Sequence, residues 1–247
     1  DKKKNVLEIS DNGIGMTKDE LIESLGTIAK SGTEDFIKKM EKENNKDIEQ
    51  IGKFGVGFYS GFMVAKKIEV LSKKAGTNES WQWSSEGKGK FDIEKIDKTA
   101  HGTVVKIFLN SNSREYSEKM RLENIIKKYS DHITHSVYIL EGDAKDKSEE
   151  KINKGTALWN KDKKEITEKE YEEFYTNIGP NYDKAWIVIH NKIEGNLNYT
   201  NLIFIPSEKP FDLLNAEKVS NLKLFIKKVF ITDKLENVLP KYLRFIS

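Results

Sequence analysis

The sequence predicts an α+β fold: a mostly antiparallel sheet with short helices, then the start of a second α/β unit. Three observations carry this reading. Four strand-like runs, 67–72, 81–84, 91–96 and 103–109, are separated by turn residues at 75–78, 86–89 and 101–102, as in an antiparallel sheet. Thr17 with Glu20, and Thr167 with Glu170, form T-x-x-E boxes. Such boxes start helices because the threonine hydroxyl takes the N3 amide and the glutamate reaches back to the cap. Residues 141–151 are acidic and basic, with one glycine and no large apolar side chain, the composition of a linker.

In chain order, Val6, Leu7, Glu8 and Ile9 alternate as a strand and run into a turn from Ser10 to Met16. Leu21, Leu25 and Ile28 follow Thr17 at helical spacing, predicting a short helix that ends near Gly26 and Gly32. Ser31 and Glu34 read as a further box, opening a helix through Phe36, Ile37 and Met40. The charged, Asn-rich stretch 41–49 reads as a mobile loop. Bounded by Gly26, Gly32 and Gly52, this segment has the low local stability of a lid; sequence alone slightly favours a plain helix–loop–helix insertion. Residues 120–129 are amphipathic, with Leu122, Ile125, Ile126 and Tyr129 on one face, and 137–140 form a last short strand. Beyond the linker come a helix bearing Tyr171, Phe174, Tyr175 and Ile178, then strands at 186–190, 199–205 and 224–231. The expected domains are 1–140 and 152–247.

Composition excludes several classes. Forty-two basic and 40 acidic residues leave a net charge of +2, which gives no support to a nucleic-acid partner. The absence of cysteine rules out disulfides and thiolate metal sites. No apolar run approaches the roughly 18 residues of a membrane span, and no signal peptide opens the chain, so a cytoplasmic protein is expected.

The run IGKFGVGFYSGFM at 51–63 places glycines at 52, 55, 57 and 61 among apolar and aromatic residues. Gly55 and Gly57 lack Cβ atoms and permit positive φ, so successive amides can turn inward around a phosphate. Phe58, Phe62 and Ala65 have helical spacing, predicting a helix whose N-terminus also favours anions. The pattern G-x-x-G-x-G is neither a dinucleotide-binding turn nor a Walker A loop. Alone, it reads more often as a tight turn and a packed helix.

Earlier in the chain, Asp11-Asn-Gly-Ile-Gly15 reads as an Asx turn in any fold. As a binding element, Asp11 would accept a hydrogen bond from an exocyclic amine. An ionised carboxylate only accepts, so it selects adenine over guanine, which presents a carbonyl at that position. Gly15 would let a purine lie against backbone, with Met16 as a soft apolar contact. Thr103 is a strand former that would bond the ring or a water beside Asp11. Lys30, beside Ser31 and Thr33, is a surface lysine by default and a phosphate contact if the lid closes.

Together, DNGIGMT (11–17), LGTIAKSGT (25–33), IGKFGVGFYS (51–60) and HGTVVKIFL (101–109) resemble, in order and spacing, the ATP-binding domain of the ninety-kilodalton heat-shock chaperone family. That domain belongs to the ATPase fold group shared with DNA gyrase B, MutL and sensor histidine kinases. INKGTALWNKDKKEITEKEYEEFY (152–175) and KKVFITDKLENVLPKYLRFI (227–246) resemble the start of the family's middle domain. The short linker resembles the bacterial form rather than the eukaryotic cytosolic one.

The resemblance implies a two-layer sandwich, helices on one face of the sheet, with ATP between the layers. It implies Asp11, Gly15 and Met16 at the adenine and Thr103 in the water network around it. It places Ser24 and Leu25 along the pocket, and Lys30, Ser31, Gly55, Val56, Gly57 and Phe58 toward the phosphates. Ser24 stands where eukaryotic relatives often have Asn, and Lys53 where Gln is usual. ATP and Mg²⁺ are the implied cofactors, client proteins the partners, and a homodimer through a C-terminal domain the assembly. The implied general base, the Mg²⁺-holding Asn and the middle-domain Arg at the γ-phosphate match no position here, so no catalytic or metal residue is assigned. Two further classes remain open: a DNA-acting ATPase of the gyrase B or MutL kind, and a nucleotide-binding interaction module without turnover.

Overall fold

The computed structural model describes residues 1–26, 57–141, 148–178, 183–210, 222–235, 238–243 and 245–246. The chain divides into two compact units, Asp1–Leu122 and Glu123–Ser247. The helix expected at 31–40, the loop at 41–49 and most of the proposed lid lie outside the described residues.

In the first unit, strands β1 (Val6–Ser10), β2 (Ala65–Lys73), β3 (Ser80–Ser85), β4 (Asp92–Ile96) and β5 (Gly102–Leu109) form one sheet in the order β1-β5-β2-β3-β4. Every neighbouring pair is antiparallel, as predicted. Val70 lies opposite Val105 and Trp83, and Ile68 opposite Ile107. Directly opposed residues share a face, so these side chains make one apolar surface. Helix α1 (Lys18–Leu25), started by the Thr17–Glu20 box, lays the fully buried Leu21 on it. Eight residues are too few to hold a helix by propensity. Burial of Leu21, worth about 1.5–3 kcal/mol, anchors it instead. Met16, Leu25, Phe58 and Phe62 pack around the same cluster. The other face carries Glu8, Lys67, Glu69 and Lys106, with ion pairs Lys67–Glu69 at 2.8 Å and Lys106–Glu8 at 3.9 Å. Helices on one face and charge on the other give the two-layer sandwich.

The helix predicted after Gly57 is instead a six-residue 3-10 turn, Phe58–Met63, and Ala65 already belongs to β2. Pairing of Ala65 with Leu109 ends the turn. Within it, the Phe58 ring stands edge-on to Trp83 at 5.6 Å, and Gly61 lies close over Ile68. The aromatic spacing reflects packing onto the sheet rather than a longer helix.

Helix α2 (Lys119–Tyr129) begins in the first unit and ends in the second. Residues 148–151, read from composition as linker, form strand β7 (Ser148–Lys151), antiparallel to β6 (Tyr138–Glu141). Ladder bonds use only backbone groups, so this charged strand carried no apolar signal. Just after β7, the buried Asn153 accepts from Val137 N at 2.8 Å and donates to the carbonyls of His135 and Ile133 at 2.9 and 3.2 Å. One side-chain amide thus satisfies the irregular chain that follows α2.

Helix α3 (Glu168–Ile178) starts at the predicted Thr167–Glu170 box. It packs on the hairpin β8 (Ala185–Ile193) and β9 (Tyr199–Pro206), with the Tyr175 and Phe204 rings buried 5.3 Å apart. Asp183 accepts from Tyr175 Oη at 2.9 Å and from the amides of Ser207 and Glu208 at 2.7 and 3.1 Å. Burial alone would raise its carboxyl pKa, but these bonds hold it below the ordinary range. The stretch 224–231, read as one strand, is a hairpin of β10 (Leu224–Ile226) and β11 (Val229–Thr232). Lys227 and Lys228 turn it with φ of 49° and 69°. Such tight turns usually announce themselves as Asn-Gly, and two lysines do not.

Tyr171 Oη lies 2.8 Å from Nδ1 of the buried His190. Burial, reinforced by the charge of Lys163, lowers the His190 pKa below its ordinary 6.5. The unfolded chain therefore binds the proton first. Stability present above pH 6.5 is lost as pH falls through the folded value. Chemical unfolding followed from about pH 7.5 down to 5.5 should show this loss, and His190→Gln should flatten that part of the profile.

Candidate functional site

The strand order makes the site. Because β5 lies between β1 and β2, the end of β1, the start of β5 and the end of β2 meet at one edge of the sheet. Asp11 follows β1, Thr103 is the second residue of β5, and Ser72 lies opposite Thr103 on β2. Asp11 N donates to Thr103 O at 2.9 Å, continuing the β1–β5 ladder by one bond.

The Asp11 carboxylate turns back on its own chain. Its Oδ1 accepts from Gly13 N at 2.8 Å and from Thr103 N at 3.2 Å. The Asx turn read from the sequence is thus present, and it also orients the group: two backbone amides hold Oδ1, while Oδ2 has no bond among the described residues. A Cβ on Gly13 would lie 2.9 Å from Oδ1, so the missing side chain at 13 makes room for the carboxylate.

Two glycines lock the turn to the sheet. Gly15 has φ of 68°, and a Cβ there would lie 1.9 Å from Lys73 O. Gly102 has φ of 102°, and its Cβ would lie 2.2 Å from Asp11 O. Ala75 N donates to Ile14 O at 2.7 Å, and His101 Nδ1 lies 2.9 Å from Gly13 O. Below the turn, the fully buried Ser72 hydroxyl accepts from Met16 N at 2.9 Å and lies 3.0 Å from the Thr103 hydroxyl.

The turn leads directly into α1. Lys74 pairs with Glu20 of the capping box. Burial pushes the Glu20 carboxyl up, but the Lys74 and Thr17 bonds outweigh it and bring the pKa below the ordinary value. Lys18 Nζ lies 5.0 Å from the Trp81 ring centroid. At the far end, Ser24 and Leu25 occupy the last turn of α1, and Tyr59 Oη donates to Leu25 O at 3.2 Å. That bond ties the helix end to the segment leaving the glycine run.

Of the residues singled out from the sequence, Asp11, Gly15, Met16 and Thr103 are brought together. Leu25 and Phe58 are packed on the shared core cluster, and Ser24 is partly buried on α1. Lys30, Ser31, Gly55 and Val56 lie outside the described residues. Gly57 does not use the positive φ that glycine permits: its φ is −59°, and a Cβ would meet nothing within 4 Å among the described residues. Sequence reading missed Ser72, Gly102 and His101. Ser72 was detectable in principle, as the one hydroxyl on the inward alternation Ile68, Val70, Ser72. A cavity of about 400 Å³ in the second unit, lined by Lys127, Asp131, His132, Phe174 and Phe225 among others, contains none of these residues. Among the described residues, no three His, Asp or Glu side chains converge as metal ligands.

The Asp-bearing glycine turn, its antiparallel sheet and the capped helix all fall within a domain of ATPase type. Residues 1–111 match the family described as histidine kinase-, DNA gyrase B- and HSP90-like ATPase. Residues 142–247 match the Hsp90 protein family, and the chain belongs to that family. It is 46% identical over 246 residues to a chaperone protein HtpG of Roseobacter denitrificans, covering 100% of this chain and 38% of that protein. The HtpG of Wolinella succinogenes is 45% identical over 250 residues, covering 100% of this chain and 40% of that protein. The HtpG of Borreliella burgdorferi is 47% identical over 248 residues, covering 97% and 40%. The chain therefore spans about two fifths of the length of these relatives.

The glycine geometry separates two kinds of substitution. Gly102→Ala forces a Cβ into the Asp11 backbone and should destabilise the first unit by about 3 kcal/mol or more. Gly57→Ala adds a Cβ that meets no described residue, in a helical conformation, and should change stability by less than about 1 kcal/mol. Urea midpoints of the two variants measure the contrast.

Proposed function

We propose that this chain carries the nucleotide-binding part of an ATP-dependent chaperone, in which ATP binding and hydrolysis drive the clamping and release of client proteins. The observation that carries the reading is the Asp11 carboxylate, held through Oδ1 by two backbone amides, with no bond to Oδ2 among the described residues. Asp11 would take the adenine amino group, Gly15 and Met16 would line the base, and Thr103 would bond beside it. Leu25 and Ser24 would border the pocket from α1.

Lys30, Ser31 and the backbone of Gly55, Val56, Gly57 and Phe58 would meet the phosphates. No described residue lies within 4 Å of the Gly57 Cβ position, which supports that approach. Mg²⁺ would enter with the nucleotide, neutralising phosphate charge. ATP would shift the population toward a closed state by binding it more tightly, without altering the client chemically. Among the described residues no helix is long and apolar enough to cross a membrane. We place the protein in the cytoplasm as a homodimer, with 1–140 as the nucleotide domain and 152–247 as the start of a middle domain. Exposed Trp186 is a candidate client contact. Phe204 is buried in the second core, and the Trp159 ring lies tilted against Phe225 with centroids 4.6 Å apart.

Titration calorimetry of Mg-ATP into the chain and into Asp11→Asn tests the reading. Asn presents one acceptor oxygen and an amide donor instead of two acceptors. The expected result is loss of ATP binding with an unchanged unfolding midpoint. Equal affinity in the two proteins would refute the adenine role.

A further inference from the structure

We infer that the cavity of the second unit is a binding site for a small aromatic anion, a carboxylate or phosphate carried on a flat ring. The cavity holds about 400 Å³, inside the range of roughly 300–1,000 Å³ typical of small-molecule sites. It shares no residue with the Asp11 group, so the inference stands apart from the adenine reading.

Part of the lining is aromatic. Phe174, Phe225, Phe230 and His132 contribute to it, with Phe230 buried and the other three half-buried. The rings brace one another: His132 stands edge-on to Phe225 at 5.5 Å, and Phe225 edge-on to Phe230 at 5.7 Å. Such contacts fix ring orientation, so this wall needs no ligand to form. The chain beside it is fixed as well. Lys154 N donates to Asp131 Oδ1 at 3.0 Å, Gly155 N donates to Asp131 O at 2.9 Å, and His132 Nδ1 lies 2.9 Å from Thr156 O.

The charged lining is mostly cationic: Lys127, Lys128, Lys154 and Lys223 stand against Asp131 and Asp233. Both carboxylates are already engaged, Asp131 by the Lys154 amide and Asp233 by Lys128 Nζ at 3.4 Å. Lys223 Nζ donates to Ile178 O. Lys127 and Lys154 are exposed, and their ammonium groups have no bond among the described residues. Like charges around one cavity repel, and an anion among them relieves the repulsion. An ammonium group only donates, so the entering group must be an acceptor such as a carboxylate or phosphate. A ring attached to that group gains the phenyl wall, where Lys128 Nζ already lies 5.3 Å from the Phe230 centroid. An inorganic anion would leave the rings in water, and a neutral ring would leave the lysines unpaired. Only the combination satisfies both parts of the lining.

Calorimetric titration of the full chain with phenyl phosphate tests the inference. Inorganic phosphate and phenol serve as the separate halves of the probe, and benzoate as its carboxylate form. Phenyl phosphate should bind at least about tenfold more tightly than either half, since each half forgoes a buried ring or a charge-assisted contact. Benzoate, which carries less charge, should fall between phenyl phosphate and phenol. Combining Lys127→Ala with Lys154→Ala should weaken phenyl phosphate about tenfold or more while leaving the unfolding midpoint unchanged. Asp11→Asn should leave phenyl phosphate affinity as it is. Loss of binding in Asp11→Asn would place the probe in the nucleotide site and overturn the inference. Equal affinity for phenyl phosphate and inorganic phosphate would also overturn it, marking a solvated lysine patch that takes any anion. Undiminished affinity in the double lysine variant, or no binding of phenyl phosphate to wild type, would do the same and leave the adenine reading untouched.

Discussion

Strand β5 is hydrogen-bonded to β1 along one edge and to β2 along the other. The remaining features of the first unit depend on this double pairing. The partners come from distant parts of the chain, so forming them costs loop-closure entropy before any contact repays it. The repayment comes from the face the pairing creates, where Ile68, Val70 and Trp83 meet Leu21 of α1. The same pairing gathers Asp11, Ser72 and Thr103, which no local rule would place together. Core and site are two consequences of one strand order.

The glycines of this unit serve different physical ends. Gly15 and Gly102 are required because a side chain would strike backbone at a positive φ, and they hold the Asp11 turn against the sheet. Gly57 is helical, and no described residue lies within 4 Å of its Cβ position. That contrast separates a glycine that the backbone geometry requires from one that it does not. A glycine count in the sequence does not make the distinction.

The second unit shows what apolar pattern fails to announce. Its core, with Tyr175 and Phe204 at the centre, follows from the helix and strands visible in the sequence. Its irregular segments are held by single polar side chains, Asn153 after β7 and Asp183 before β8, each satisfying several backbone groups. Such residues look like ordinary loop polars until their partners are known. Strand β7 and the turn at Lys227 and Lys228 escaped reading for a related reason, since backbone bonds and tertiary pairing made them rather than side-chain preference.

By itself the sequence determined the antiparallel sheet, both capped helices, the Asp11 turn and the family. Each rests on local chemistry: period-two alternation, a threonine and glutamate three residues apart, an Asx turn, and motifs in fixed order. Tertiary structure alone decided that Ser72 sits beneath the Asp11 turn and against Thr103, that Gly102 must be glycine, and that the segment after Gly57 is one short 3-10 turn. Those facts depend on which strands become neighbours and how closely their backbones approach. Side-chain order along the chain carries no direct record of either.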